Sequence, residues 1–157
     1  MKPEQLTALI FNGIIALIGI VFSFTNIFIE ITEIKYTISQ GTTIFGLNYS
    51  ALHIFAIIFM LALVLLAIAT FVIYCLAMIK KRKKLYNTLI ILLSVCFVAF
   101  ICFILFSHLA CIDNTVFGFG KSTEYKFTFS MIFSACFYAV FINNILWFII
   151  NGYKKVK

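Results

Sequence analysis

The side chains able to do chemistry are few, and most stand where long apolar runs begin or end. His53 lies near the start of the second such run and His108 near the close of the third. Cys111 follows His108 at i+3, and Glu30 and Asp113 fall at similar depth. Imidazole, thiolate and carboxylate converging at one level are the donor set of a zinc, copper or haem site, so His53, His108 and Cys111 are the candidate metal ligands. A haem held between two helices would need its histidines facing each other inside the bundle. The simpler expectation is that these histidines turn toward water or hydrogen-bond a neighbouring loop, with no cofactor. Catalysis is disfavoured because the chain shows no carboxylate pair, no Ser/His/Asp set and no phosphate-cradling Gly-rich loop. The expectation is therefore a protein that is not an enzyme.

The elements that must position these groups are plain. Four stretches, about residues 6–29, 51–79, 85–109 and 127–150, contain no Asp, Glu, Lys or Arg. Each reaches the ~20 residues that an α-helix needs to cross ~30 Å of hydrocarbon. Inside lipid the backbone must satisfy its own polar groups, which for single runs of this kind means helices. With 64% hydrophobic residues in 157 and a mean hydropathy of +1.16, a soluble domain could not hide the apolar surface. The fold class expected is an all-α integral membrane protein, one four-helix transmembrane domain over residues 1–157. The first run is too long for a removable signal peptide and lacks a small-residue cleavage pattern.

The net charge of +7 could suggest nucleic acid, but its placement argues for topology. Lys80, Lys81, Arg82, Lys83 and Lys84 separate the second and third runs, and Lys154, Lys155 and Lys157 follow the fourth. Short basic loops stay cytoplasmic, so both termini are expected inside. Lys35, Lys121 and Lys126 lie on the outer side among the acids Glu30, Glu33, Asp113 and Glu124. The five-residue basic cluster is expected to contact anionic lipid headgroups, at about 1 kcal/mol per residue. The cell membrane is the expected location. For a eukaryotic source, Lys154-Lys155-Val156-Lys157 also matches a dilysine retrieval signal to the endoplasmic reticulum.

Helix association in lipid relies on small residues and buried amides. Gly13, Ala16, Gly19 and Ser23 form a small-residue stripe on the first helix, and Ser130 with Ser134, and Ala135 with Ala139, repeat such spacing on the fourth. These faces are expected to meet, with Asn12, Asn143 and Asn144 as further polar contacts. The spans hold no Pro and only Gly13 and Gly19, which disfavours the broken helices of coupled transporters. Cys75, Cys96, Cys102 and Cys136 read as small packing residues rather than a disulfide framework.

Between the first two spans, Ile31 to Ser39 alternates apolar and polar residues, Gln40-Gly41 suits a turn, and Thr42 to Leu47 continues the pattern. A small extracytoplasmic β-hairpin is expected there. Phe117-Gly118-Phe119-Gly120 marks the second outer loop as flexible and aromatic. Four helices, internal termini, a β-rich first outer loop with Gly46-Leu47, and a short basic inner loop together resemble the claudin and peripheral-myelin-protein superfamily. The family's Trp and cysteine pair are absent, so the resemblance implies a layout rather than a junction-forming role. The functional expectation is a small tetraspan protein acting by protein–protein contact, with another membrane protein or a second copy of itself. The alternatives are a homo-oligomeric channel or small-solute carrier, and a membrane immunity protein against a pore-forming toxin.

Overall fold

The computed structural model describes residues 3–38, 43–44, 47–116 and 129–153. Four helices dominate it: α1 (Pro3–Ile38), α2 (Tyr49–Lys80), α3 (Lys83–Val116) and α4 (Phe129–Tyr153). Segments of each, Pro3–Thr32, Ala51–Lys80, Lys83–Ser107 and Met131–Gly152, are long and apolar enough to cross a membrane. These four spans make the chain an integral multi-pass membrane protein by length and composition.

The helices run up and down. The principal contacts join α1 to α2, α2 to α3 and α1 to α4, with a lighter seam between α3 and α4. One end of the bundle gathers the start of α1, the end of α2, the start of α3 and the end of α4; it is called the basic end here because Lys80 to Lys84 lie on it. The α2–α3 connection is only two residues long. Lys81 sits in the left-handed region (φ 46°), and its N–H returns to the Ala77 carbonyl at 3.0 Å. That is a helix stop built from one left-handed residue, here with a lysine where glycine is usual.

Buried positions repeat at three- and four-residue steps on α2, α3 and α4: 56, 60, 63, 67, 70, 74 and 77 on α2; 86, 89, 93, 96, 99, 103 and 107 on α3; 134, 138, 141, 145 and 149 on α4. This spacing keeps one seam turned toward a neighbour, as in left-handed bundles. The core divides into two clusters. Tyr74, Tyr86, Leu89, Phe141 and Ile145 fill the basic end, while Met60, Leu63, Cys96, Phe103 and Tyr138 fill the other half. Aromatic stacking supplies much of the contact, with ring centroids 5.4 Å apart for Phe22–Phe133 and 5.5 Å for Phe59–Phe106.

The outer β-hairpin is not supported. Residues 31–38, expected as its first strand, continue α1. Their alternation also places Ile31, Ile34 and Ile38 at helical intervals, and extending a helix already nucleated is easier than forming a strand that lacks a partner. What remains is a two-residue ladder, Thr43–Ile44 against Leu47–Asn48. Gln40-Gly41 and residues 117–128, which include the expected Phe117-Gly118-Phe119-Gly120 segment, lie outside the described residues.

Candidate functional site

Asn12, Ala16, Gly19, Ser23, Asn26 and Glu30 follow one another on α1 at steps of 4, 3, 4, 3 and 4, and all six are buried. At 1.5 Å per residue this polar and small-residue stripe extends about 27 Å, close to a full hydrocarbon thickness. Unpaired polar groups in such surroundings are costly, so the question at each level is what satisfies them.

Nearest the basic end, Asn144 Nδ2 donates to Asn12 Oδ1 at 2.9 Å, and Asn12 Nδ2 donates to the Tyr74 hydroxyl at 3.1 Å. This relay joins α4, α1 and α2. Higher up, Ser23 Oγ donates to the Gly19 carbonyl at 2.9 Å. With its one proton so placed, Ser23 accepts from the Tyr138 hydroxyl, 2.8 Å away. One turn on, Asn26 Nδ2 donates to Ser134 Oγ at 3.1 Å, and that hydroxyl donates to the Met131 carbonyl at 3.0 Å.

The stripe ends in its only ionisable member. Glu30 accepts from His53 Nδ1–H at 2.5 Å through Oε2, and from Ser107 Oγ at 2.6 Å through Oε1. The side chains of His53 and Glu30 are 3% and 6% exposed. One carboxylate thus ties α1 to α2 and α3. The serine spends its proton on the carboxylate rather than offering its oxygen to the imidazole, so this is not the nucleophile–base–orienter order that acyl transfer requires.

The sequence-derived candidates distribute as follows. His53 is buried on Glu30 instead of turning to water or a loop, because Glu30 belongs to the helical stripe and not to a loop beyond it. His108 and Cys111 fall on α3, but their side chains lie outside the described residues. Among the described residues there is no group of three or more His, Cys, Asp or Glu side chains. Gly19 faces Phe137 and Tyr138 of α4, whereas Gly13 faces the Phe71 ring of α2. Ser23 and Ser134 are buried on the α1–α4 seam, and the side chain of Ser130 is outside the described set. Lys80, Lys81, Arg82, Lys83 and Lys84 are exposed at the basic end.

Three expectations on packing need correction. Asn143 is exposed while its neighbour Asn144 bonds within the bundle, and Ala139 and Cys136 also point outward. Adjacent helical residues differ by about 100°, so a seam that takes Asn144 excludes Asn143. Asn26, Tyr74, Ser107 and Tyr138 were not legible as polar contacts from apolar-run analysis. The alternating 4–3 interval on α1 is the signal that could have found Asn26 and Glu30.

A comparison of two substitutions tests the relay. Asn12→Leu is expected to destabilise the bundle by about 1 kcal/mol, in the range of interhelical hydrogen bonds in membranes. Asn143→Leu should leave stability unchanged. Loss of helicity during titration of mixed micelles with dodecyl sulfate measures both.

Comparison with protein-family models, curated proteins and solved structures finds no match. The helices and their buried stripe therefore define the class, a four-helix multi-pass membrane protein, and its function is argued from the molecule alone.

Proposed function

We propose that this chain acts by non-covalent contact within a membrane, as a small tetraspan protein that presents its outer loops to another membrane protein. It carries out no catalysis in this reading. The observation that supports it is the Glu30–His53–Ser107 tie. Those three residues lie on the helix segments that lead into the 39–48 and 117–128 connections, so one carboxylate sets the frame from which both loops emerge. The rest of the α1 stripe is also engaged in holding helices together, which favours a rigid scaffold over a conducting path. The termini and the Lys80–Lys84 loop are cytoplasmic, with the basic cluster against anionic headgroups.

Orientation has a direct test. A membrane-impermeant thiol reagent should label Ser39→Cys on intact cells and leave Lys83→Cys unlabelled, in a background where the native cysteines are replaced. The reverse pattern would overturn the assignment. For function, the test is extraction in a mild detergent, native mass measurement and identification of co-purifying chains. A stoichiometric membrane-protein partner is the expected result. A pure homo-oligomer that conducts ions or solutes in liposomes would replace this reading with the channel.

A further inference from the structure

At the basic end, residues of α1, α2 and α4 line a cleft of about 390 Å³, within the size range of small-molecule sites. Its make-up is graded. The floor is the amide–phenol relay of Asn12, Tyr74 and Asn144, the walls include Phe11 and Trp147, and the mouth carries Glu4. Phe11 and Trp147 are more than half exposed, so the apolar wall opens sideways from the bundle. Glu4 lies in the first turn of α1 and, among the described residues, is the only charged one lining the cleft.

We propose that this cleft binds the ammonium group of an amphiphile, with the attached apolar portion lying along Phe11 and Trp147. The chemistry selects a cation. Glu4 supplies the opposite charge, and the indole face of Trp147 attracts ammonium groups through its quadrupole. A ligand carrying only negative charge would meet the carboxylate without a compensating positive side chain among the described lining residues. The floor offers neutral donors and acceptors suited to an ester, hydroxyl or phosphate ester beyond the ammonium. Two sources carry this chemistry: an ethanolamine lipid headgroup and a lipophilic organic ammonium solute. The site stands apart from the outer-loop reading and does not depend on it.

Trp147 is the only tryptophan in the chain, so the indole emission comes from one wall of this cleft. The experiment uses the full chain in phosphatidylglycerol vesicles, which contain no ammonium headgroup. In one arm phosphatidylethanolamine is added in increasing proportion; in the other, benzyltributylammonium is titrated. Saturable change in Trp147 emission is expected in at least one arm. Glu4→Gln should weaken it about fivefold, the scale of an exposed charge pair, and Glu4→Asp should restore most of it. Glu4 is exposed, so neither substitution threatens the fold, which far-ultraviolet circular dichroism verifies. Response to the lipid arm only assigns a headgroup site, and response to the solute arm only assigns a solute site. A response that fails to saturate in both arms, or that is the same in Glu4→Gln as in the native chain, overturns the proposal.

Discussion

Glu30→Leu is expected to destabilise the bundle by about 3–5 kcal/mol, and His53→Leu by a similar amount. Each single substitution removes one member of a buried hydrogen-bonded pair and leaves the other without its partner. Buried among three helices, the survivor has no water to turn to. Removing Glu30 also orphans Ser107, whose hydroxyl can fall back on a carbonyl of its own helix, so that part of the loss is small. Glu30→Leu with His53→Leu together should cost far less than the sum, because two apolar side chains of similar bulk leave nothing unpaired. The measurement is a double-substitution cycle, read from dodecyl sulfate unfolding in mixed micelles. Losses that simply add would show that the two groups are not energetically coupled and that the tie across α1, α2 and α3 does not hold the frame. The same cycle bears on function, since partner binding by the outer loops should fall with either single substitution and recover in the double one.

The four spans were legible because absence of charge over twenty or more residues admits no other structure in lipid. Their ends were not. A criterion of uncharged length stops the first helix at 29, and that single step removes Glu30 from the membrane and sends it to a loop. The helix in fact runs to Ile38. A charged side chain does not interrupt the backbone ladder, and Glu30 finds two partners that let it stay inside the bundle. The partners come from 23 and 77 residues away along the chain. No local pattern around Glu30 announces them. The 4–3 alternation from Asn12 to Glu30 does announce a shared face, but it identifies the face without identifying the neighbour. The same limit separates Asn143 from Asn144: composition places two amides in the span, and only the rotation of α4 about its axis decides which one is inside. Glycines show the complementary failure. Gly13 and Gly19 attract notice because they interrupt an apolar run, while Gly152, near the helix end, looks like an ordinary terminal residue.

Gly152 is nonetheless the most tightly confined of the three. A Cβ built there would stand 2.5 Å from a Tyr86 ring carbon and 2.7 Å from the hydroxyl oxygen, closer than real contacts allow. Tyr86 cannot easily withdraw. It is 2% exposed and stacks on Phe148 with ring centroids 5.4 Å apart, in the cluster that fills the basic end. Gly152→Ala is therefore expected to destabilise by about 1–3 kcal/mol through overpacking, despite the helix propensity that alanine adds. At Gly19 the balance reverses. The nearest atoms to a Cβ, on Phe137 and Tyr138, lie 3.6 Å away, an ordinary contact distance. Gly19→Ala should be neutral or stabilise by up to about 1 kcal/mol, since it removes the conformational freedom of a mid-helix glycine without displacing anything. Gly19→Leu, whose extra atoms must enter the α1–α4 seam, should weaken that seam. Unfolding in mixed micelles ranks the three variants. If Gly152→Ala proves as stable as Gly19→Ala, Tyr86 has room to move, and the α3–α4 seam at the basic end is looser than its rings imply. If it is the weaker of the two, the close approach of α4 to Tyr86 is what closes the side of the bundle where helix contact is otherwise lightest.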